Sequence, residues 1–500
     1  MGIVPEFDVI VVGSGNSAMC AALAARERGA KVLVLEKAPF EWRGGNTYFT
    51  GGAIRFAFES MEQFCELIPD LSKAELDSMI VPEYPSSEFY SDLMRVTQGL
   101  ADTELSKILV DQSYFSMLWL REKGVRFVPL WGRQSAKVGN KYQFWGGLNL
   151  EAVGGGKGLS DKQFSIAEEQ GIQIEYQSKV IRLIQDSQAM VSGVTIKDEN
   201  GFRDIFSKSV ILACGGFEAN TEMRTRYLGP GWEFAKVRGS PYNTGEGIQM
   251  ALDIGAQPYG NWSGCHAVAW DMNAPSYGNR NITDLFQKHS YPYGIVVNIE
   301  GNRFVDEGAD FRNFTYAQYG REIIMQPQRV AFQIFDKKTT HLLRDEYSIP
   351  QVTKARANTI RELAERLSID QDALERTVTE YNNAVQPGEF HPAILDGKHT
   401  VGIEPPKSNW ATPIDTPPYH GFAVTCGITF TFGGLKINKN AQILDTEGHP
   451  IPGLYAAGEL VGGLFYHGYP GGAGLCAGIV FGRIAGESAA NDILSPQKFR

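Results

Sequence analysis

The chain has 500 residues, of which 43% are hydrophobic and 21% are charged, and its formal net charge is −10. This length exceeds one ordinary hydrophobic core, so we expect two or three domains. The acidic balance argues against nucleic acid as the main partner, and no apolar run approaches the roughly 20 residues that span a bilayer.

The cysteines and histidines show no pattern of a metal or redox centre. The six cysteines form no C-x-x-C pair and the eight histidines are scattered. We therefore predict free thiols in a reducing, cytoplasmic compartment and no metal site. The first strand begins close to Met1, with no basic segment of a secretory signal before it.

The first predicted element is a buried strand, Val9–Val12, which ends in the sequence GSGNSA from Gly13 to Ala18. This sequence fits the pattern G-x-G-x-x-[GA]. Gly13 permits the tight turn, Gly15 lets a pyrophosphate approach the backbone, and Ala18 lets the following helix pack closely on the strand. The N-terminus of that helix offers N–H groups to phosphate.

A second strand, Val32–Leu35, ends at Glu36. A carboxylate about 20 residues beyond the turn can accept hydrogen bonds from a ribose. Strand, turn, helix, strand and acid in this order predict a dinucleotide site rather than a plain βαβ unit. A loop follows with glycine pairs at 44–45 and 51–52 around Asn46 and Thr47, and we interpret it as lining a ligand.

The next part of the chain, residues 60–124, is predicted to be mostly helical, with helix starts at Ser72 and Asp102. A short strand is expected at 126–130 and an irregular segment at 137–158. The glycines at 155–158 before a helix fit either a phosphate site or a turn. Strands are predicted at 173–176, 180–184, 191–196 and 210–213.

Two further features follow the last of these strands. Gly215 and Gly216 suggest a second place where backbone touches a cofactor, and the sequence TGEG at 244–247 opens a helix at 248–254 whose N-terminus is a candidate anion site.

From about residue 261 the chain is rich in aromatic residues. We predict a second domain over 261–415, with a helical segment at 359–385 and a proline-rich loop at 405–418. The first domain then comprises 1–260, with a helical insertion at about 56–160, and 416–500, with strands at 435–437 and 442–444 and a helix at 474–490.

These motifs together resemble the FAD-dependent fumarate reductase and succinate dehydrogenase flavoprotein superfamily. The motifs are GSGNSA with Glu36, the GGN at 44–46, ACGGF at 213–217, NTGEG at 243–247, GNRFVDE at 301–307, GGL at 433–435 and GLYAAGE at 453–459. Within the superfamily, EWRGGN at 41–46, GADFRN at 308–313 and YHGYPGG at 466–472 look most like tricarballylate dehydrogenases. The YPGG element at 469–472 is also similar to one in ketosteroid Δ1-dehydrogenases.

The resemblance implies an α/β fold: a Rossmann-type FAD-binding domain, with a parallel sheet and helices, and an inserted α+β capping domain over the substrate. It implies FAD as cofactor. Members with covalent flavin carry a histidine near the position of Gly45, so we expect non-covalent FAD here. The predicted cofactor-binding residues are Gly13, Gly15, Asn16, Ser17, Ala18, Glu36, Lys37, Gly44, Gly45, Asn46, Thr47, Gly51, Gly52, Val180, Ala213, Gly215, Gly216, Asn243, Gly245, Glu459, Gly472, Gly474 and Leu475.

The resemblance also implies the catalytic residues. Arg312 matches the proton-transfer arginine, although its spacing from the GNRFVDE motif is one residue longer than in fumarate reductases. An arginine needs a coupled relay to act as a base, through Asp310 or Glu307, and the alternative is that Arg312 only pairs with a neighbouring acid. His266 lies where the family places a substrate-binding histidine, although a lone histidine is more often structural.

A second histidine and a further arginine hold carboxylates in the fumarate reductases, and these positions correspond to Thr429 and Tyr469 here. Their loss weakens the case for a small dicarboxylate. Tyr469 can instead donate a hydrogen bond to a ketone or carboxyl oxygen, unless it is a packing residue. Tyr316 and His467 are secondary candidates.

The predicted reaction desaturates an organic acid or carbonyl compound, by hydride transfer to flavin N5 and proton removal from the adjacent carbon. The alternatives are an ene-reductase that runs the reverse reaction and a flavoprotein without catalysis. The expected partners are a small carboxylate or ketone and an electron acceptor or donor of unknown identity.

Overall fold

The structure is a computed structural model and describes residues 5–494. The helices in this range are α1 (Asn16–Glu27), α2 (Met61–Leu67), α3 (Lys73–Asp77), α4 (Ser86–Val96), α5 (Thr103–Glu122), α6 (Trp131–Gln134), α7 (Gly155–Glu169), α8 (Thr221–Leu228), α9 (Glu246–Asp253), α10 (Arg312–Ile324), α11 (Ile360–Leu367), α12 (Gln371–Ala384) and α13 (Ala473–Leu494). None of the described helices is both long and apolar enough to cross a membrane.

The strands in the same range are β1 (Phe7–Val12), β2 (Val32–Leu35), β3 (Ala53–Ile54), β4 (Met79–Ile80), β5 (Phe127–Pro129), β6 (Ser135–Val138), β7 (Lys141–Phe144), β8 (Leu150–Ala152), β9 (Gln173–Glu175), β10 (Lys179–Gln185), β11 (Val191–Asp198), β12 (Gly201–Leu212), β13 (Lys236–Val237), β14 (Pro258–Asp271), β15 (Ile295–Asn298), β16 (Ala331–Phe335), β17 (Lys354–Ala357), β18 (Tyr419–Leu435), β19 (Gln442–Leu444) and β20 (Pro450–Ala456).

The first large sheet is built around β1, which pairs in parallel with both β2 and β12. Its order is β10-β11-β12-β1-β2-β9, and β20 adds to β12 in parallel. The side chains of β1 from Val9 to Val12 are buried, because helices cover a parallel sheet on its faces. The predicted α/β class with a Rossmann-type sheet is confirmed.

Helices α1 and α13 pack against each other through small residues. A Cβ added at Gly482 would lie 2.5 Å from the carbonyl oxygen of Ser17, and one at Gly486 would overlap the carbonyl oxygen of Ala21. Alanines occupy most of the buried positions of α1. This close approach fixes α1, and therefore its N-terminus, against α13.

The second large sheet has the order β13-β18-β16-β15, with β14 and β17 also paired to β18. Its strands lie between Lys236 and Leu435, so they cross both predicted domain boundaries, at 260 and at 415. The long antiparallel pair β14–β18 was not predicted from the sequence. The predicted strand at 435–437 was wrong, because β18 ends at Leu435.

Two further predictions of local structure need correction. The segment 137–158 is not irregular: the antiparallel strands β6 and β7 join at Gly139-Asn140, and β8 follows. The helical segment 359–385 is two helices, because Ser368 adopts a left-handed conformation (φ 59°) and the side chain of Asp370 caps α12. The helix starts at Ser72 and Asp102 are confirmed, since both side chains accept a hydrogen bond from the third residue of the helix.

We predict that Gly486→Val destabilises the protein by about 1–3 kcal/mol, because the new side chain must displace the backbone of α1. The measurement is the thermal unfolding midpoint of the FAD-loaded protein. Ser488→Val, in the same helix but partly exposed, introduces the same side chain without the overlap. Equal midpoints for the two variants would contradict the proposed contact.

Candidate active site

A large cleft lies where strands of the first sheet end and the second sheet begins. It encloses about 1810 Å³, counting its open side, and is lined by the residues that follow β1, β2, β12 and β20 and by residues 429–432 of β18. Ligands of open α/β sheets bind at the carboxyl ends of the strands. The cleft is therefore the candidate site for both cofactor and substrate.

At one end of the cleft, the turn after β1 has the form a dinucleotide needs. Gly13 has φ 105°, and a Cβ there would lie 2.5 Å from the carbonyl oxygen of Ala213, so only glycine fits. A Cβ at Gly15 would meet nothing closer than 3.7 Å, which leaves its backbone open to the cleft. The N–H of Asn16 donates to Thr47 Oγ1 (2.9 Å), which ties the turn to the glycine-rich loop.

Glu36 lines the same end of the cleft, next to the turn after β1. Its carboxylate accepts from Ser14 Oγ (2.6 Å) and from the N–H of Ala38 (2.7 Å), and burial raises its pKa. Lys37 also lines the cleft, but its ammonium is paired with Glu246 (2.8 Å). The glycine turn, the helix N-terminus and the buried acid fit the pyrophosphate and ribose of FAD.

Most of the predicted cofactor residues line the cleft. These are Gly13, Gly15, Asn16, Ser17, Glu36, Lys37, Gly45, Asn46, Thr47, Gly51, Val180, Ala213, Gly215, Asn243, Glu459, Gly472, Gly474 and Leu475.

The other five predicted cofactor residues do not line the cleft. They are small because neighbouring atoms pack closely against them. A Cβ at Gly44 would overlap Ser160, one at Gly52 the backbone of Gly155, one at Gly216 the side chain of Thr431, and one at Gly245 the sulfur of Met223; Ala18 is buried within α1. The alternative of a phosphate site at Gly155–Gly158 is not supported either, because the N–H of Gly156 donates to Thr50 O (3.0 Å).

Two carboxyl groups meet beside the middle of the cleft. Glu459 accepts from the N–H of Thr431 (2.8 Å), and Glu218 accepts from Asn46 Nδ2 (2.6 Å). Burial raises the pKa of both groups, and the charge of Glu459 raises the pKa of Glu218 further. Of the two carboxyl groups, Glu218 is therefore the one that holds a proton more readily, because the charge of Glu459 disfavours its ionised form. The sequence reasoning identified Glu459 and missed Glu218.

At the other end of the cleft, two tyrosine hydroxyls lie 2.5 Å apart. Tyr316 stands on α10, and Tyr469 on the turn before α13, which is held to α10 by a hydrogen bond from Gly471 N to Asn313 O (2.7 Å). Burial raises the pKa of both tyrosines, so both phenols are neutral. One hydrogen bond joins the pair, so a second hydroxyl proton is free to be donated to a ligand.

His266 of β14 packs on this pair, with ring centroids 4.9 Å from Tyr316 and 4.8 Å from Tyr469. It is fully buried, and neither ring nitrogen has a hydrogen-bond partner among the described residues. Burial, and then the charge of Arg238, lower its pKa well below the ordinary value. His266 is therefore a neutral imidazole at the cleft.

Next to these rings lies a buried charge cluster that the sequence reasoning missed. Arg238 Nε donates to Asp284 Oδ1 (2.9 Å), Arg133 Nη1 donates to Asp284 Oδ2 (2.7 Å), and Arg238 Nη1 donates to Thr429 Oγ1 (3.2 Å). Burial opposes the charge of Asp284, but the two guanidiniums keep its pKa below the ordinary value. Two cations on one carboxylate leave this end of the cleft positive.

Arg312 begins α10, one helical turn before Tyr316, and its guanidinium lies 5.2 Å from the ring centroid of that tyrosine. Its Nη2 donates to Gln134 Oε1 (3.2 Å) and to a backbone carbonyl, while its Nε has no partner in the described part of the chain. Burial, and then the charge of Arg344, lower the pKa of Arg312 to about 9.

The two acids suggested as a relay to Arg312 are engaged elsewhere. Asp310 pairs with Arg95 (2.6 Å), and Glu307 pairs with Arg303 (2.6 Å). The alternative that Arg312 pairs with one of these acids fails for the same reason. His467 also departs from its predicted role: it is half-exposed with φ 60° and does not line the cleft.

The cleft and its donors define a flavin-dependent oxidoreductase. The FAD binding domain family matches residues 8–475, and the chain belongs to this family. It is 30% identical over 492 residues to the probable fumarate reductase Ifc3 of Shewanella frigidimarina (strain NCIMB 400), covering 97% of this chain and 75% of the relative.

Two further similarities agree. The 3-oxosteroid 1-dehydrogenase of Mycobacterium tuberculosis (strain ATCC 25618 / H37Rv) is 26% identical over 569 residues, covering 96% of this chain and 98% of the relative. The open conformation of a flavocytochrome c3 fumarate reductase superposes with a TM-score of 0.72 at 27% identity, over 98% of this chain and 79% of that one. The protein is an FAD-dependent oxidoreductase that acts on CH–CH bonds.

We predict that Glu218→Gln stabilises the protein more at pH 8 than at pH 5. Folding raises the pKa of this carboxyl group. Its contribution to stability is therefore complete at pH values below the unfolded-state pKa of about 4.3, and it is lost as the pH rises through the folded-state pKa. Glutamine can accept the same hydrogen bond from Asn46 without titrating. The measurement is the thermal midpoint at both pH values with saturating FAD.

Glu222→Gln, on the exposed face of α8, is the control for this substitution and should leave the pH dependence unchanged. A Glu218→Gln protein that is less stable than wild type at pH 8 would show that Glu218 is ionised there.

Proposed function

We propose that the enzyme desaturates an organic acid or ketone, removing a hydride and a proton from adjacent carbons. Bound FAD supplies the hydride acceptor. The observation that carries the proposal is the hydroxyl pair of Tyr316 and Tyr469, which lies at the cleft beside the cation of Arg238. A carbonyl oxygen gains negative charge as the proton leaves the neighbouring carbon, and such donors stabilise that charge.

The tyrosines and Arg238 bind and polarise the activating oxygen in this proposal. The Tyr469 hydroxyl, supported by Tyr316, donates to the oxygen, while Arg238 provides a buried positive charge that Asp284 holds in place. His266 is neutral, so it packs against the substrate and excludes water without adding charge. The absence of a second histidine at Thr429 supports a substrate other than a small dicarboxylate.

Arg312 moves the proton. Its Nε is free of protein partners, and a pKa of about 9 makes the neutral form accessible, which an exposed arginine does not allow. The guanidinium takes the proton from the carbon next to the one that loses hydride.

FAD is held non-covalently by the glycine turn, Glu36 and the Asn46–Glu459 region. Residues 1–260 and 416–500 form the FAD-binding domain, with a helical insertion at about 56–160, and residues 261–415 form the capping domain, whose strands β16 and β17 pair with β18 of the FAD-binding segment. The protein works in the cytoplasm with an electron partner whose identity is open.

A second candidate function is reduction of the corresponding C=C bond. The observation that favours it is the same pKa of about 9, since Arg312 is protonated at neutral pH and can act as a proton donor. The two directions use the same residues and differ in the protonation state of Arg312 at the start of the step.

We predict that Tyr469→Phe lowers kcat/KM by about 10²–10³-fold while FAD content stays unchanged, since one donor to the developing oxyanion is lost. The measurement is bleaching of the flavin absorbance near roughly 450 nm on anaerobic mixing with saturated acids and ketones. Tyr466→Phe, three residues earlier and outside the cleft lining, is the matched control. If no saturated acid or ketone bleaches the wild-type flavin, desaturation is ruled out.

We predict opposite pH profiles for the two directions. Desaturation needs neutral Arg312, so its rate should rise about tenfold per pH unit up to about pH 9; reduction needs the protonated form and should fall above that pH. Arg312→Ala should remove the dependence with a loss of about 10²–10⁴-fold. Arg321→Ala, later in α10, is the control. A flavoprotein without catalysis would show no effect of either substitution.

A further inference from the structure

Arg55, directly after β3, is a buried cation to which the proposed reaction gives no role. It is 0% exposed and does not line the cleft. The closest carboxylate among the described residues is that of Asp92, 3.9 Å from Arg55 Nη1, and it accepts no hydrogen bond from the guanidinium. A buried charge is costly unless hydrogen bonds compensate it, so its neutral partners must account for its place in the core.

The first partner of Arg55 is the turn at 469–472, which we call the tyrosine turn. Arg55 Nε donates to the carbonyl oxygen of Gly471 (2.9 Å), and the backbone N–H of Arg55 donates to that of Gly472 (3.3 Å). Gly472 has φ 83°, and a Cβ there would lie 2.8 Å from the backbone nitrogen of Arg55. One residue therefore binds two successive carbonyl groups of the turn that carries Tyr469.

The second partner is the loop beside the start of α10. Arg55 Nη1 donates to the carbonyl oxygen of Gly146 (2.6 Å), which also accepts from Asn313 Nδ2 (3.1 Å). The N–H of Gly471 donates in turn to the carbonyl oxygen of Asn313 (2.7 Å). These four residues close a ring of hydrogen bonds. Because Asn313 directly follows Arg312, the ring joins the tyrosine turn to the helix end that carries the proposed proton-transfer arginine.

A further series of contacts runs from Arg55 to the same helix end by an outer route. Arg55 Nη1 donates to the hydroxyl of Tyr84 (2.7 Å), which donates to Asp92 Oδ2 (2.8 Å). Burial raises the pKa of Tyr84, so its phenol is neutral. Asp92 pairs with Arg95 (3.0 Å), and Arg95 pairs with Asp310 (2.6 Å), two residues before α10. Two cations and two anions balance along this series, which compensates the buried charge of Arg55.

The ring of hydrogen bonds needs a guanidinium. Gly471 and Gly146 are bound by two different nitrogens of Arg55, whose spacing is fixed because the group is planar. The rings of Phe314 and Tyr84 pack on this plane, with centroids 5.0 and 5.3 Å from Arg55 Cζ. A lysine has one terminal nitrogen on a flexible chain, so it can bind one of these carbonyl groups where arginine binds both.

We propose that Arg55 is a positioning residue for the reaction: it sets the place of the Tyr469 hydroxyl relative to Tyr316 and Arg312. It acts through the tyrosine turn and the start of α10, from outside the cleft. This inference rests on the proposed function, because Tyr469 and Arg312 carry the chemistry there. A displacement of about 1 Å between reacting groups costs about 10²-fold in rate, so the ring of hydrogen bonds has a direct consequence for catalysis.

A crystal structure of the FAD-loaded Arg55→Lys variant tests the position itself. The hydroxyls of Tyr316 and Tyr469, now 2.5 Å apart, should separate to roughly 3.2 Å or more, beyond a normal hydrogen bond. Asn313→Ala removes only one donor of the ring and should move the pair less in the same direction, so it replaces Arg55→Lys if that variant does not fold. Arg303→Lys is the matched control, since this buried arginine also donates to backbone carbonyl groups, but not to the tyrosine turn. An unchanged separation in the two ring variants would overturn the proposal.

A binding experiment distinguishes positioning from a general loss of stability. The probe is p-nitrophenol, whose phenolate oxygen mimics the oxyanion, titrated into the FAD-loaded enzyme and followed by the flavin spectrum. Arg55→Lys should weaken its binding about tenfold, but less than about twofold in the Tyr469→Phe background, because both substitutions disturb the same contact. A tenfold loss in both backgrounds would overturn the proposal, since Arg55 would then act independently of Tyr469.

The positioning role and the proposed reaction fail separately. If the hydroxyls separate and the two substitutions are coupled, but no saturated acid or ketone bleaches the flavin, the role of Arg55 stands and desaturation fails. If bleaching occurs and Tyr469→Phe impairs it, but Arg55→Lys leaves the hydroxyls in place, the reaction stands and the role of Arg55 fails. Absence of p-nitrophenol binding in the wild type would count against the oxyanion site, and the hydroxyl separation would still decide the role of Arg55.

Discussion

The pairing of β14 with β18 is the interaction on which the active site depends. These strands belong to the second sheet, yet His266 faces Phe430 in their register and Thr431 of β18 holds Glu459 beside the first sheet. The pair is irregular between Asn261 and Cys265 and again after His266. Such bulges bend a strand and redirect its side chains, and they are common next to active sites.

Charge decides what the cleft can bind. Arg238, Arg133 and Arg312 all reach its far end, and Asp284 is the carboxylate that Arg238 and Arg133 share. Burial, and after it the charge of neighbouring guanidiniums, lowers the pKa of both His266 and His289, so both imidazoles are neutral. Burial, and then the charge of Arg344, bring the pKa of Arg312 down to about 9, which ties proton transfer to the binding of an anionic or oxyanionic group.

The sequence predicted those parts of the site that depend on backbone geometry over a short span. Gly13, Gly15 and Glu36 have a fixed spacing because a turn, a helix N-terminus and a strand end must succeed one another. Tyr469 and Arg312 came from resemblance to a family rather than from spacing. Asp310 and Glu307 were assigned to Arg312 from their nearness in the chain, and the fold instead pairs them with Arg95 and Arg303.

Other functional residues could not be found in this way. Arg238 and Asp284 are 46 positions apart and meet only because the segment of Arg238 folds against β18 and that of Asp284 against β14, so no local pattern marks them. Glu218 follows a recognised glycine pair, but its importance comes from the distant Glu459. The β6–β7 hairpin, in contrast, had a visible signal in Gly139-Asn140 between two alternating runs.

We propose that the flavin ring of FAD lies in the cleft with Tyr469 and Arg312 at its reactive edge. The decisive measurement is a crystal structure of the FAD-loaded enzyme. We expect the dinucleotide along the turn at Gly13–Ala18 and the ring in contact with the tyrosine pair. A ring bound elsewhere, out of contact with both Tyr469 and Arg312, would disprove this placement.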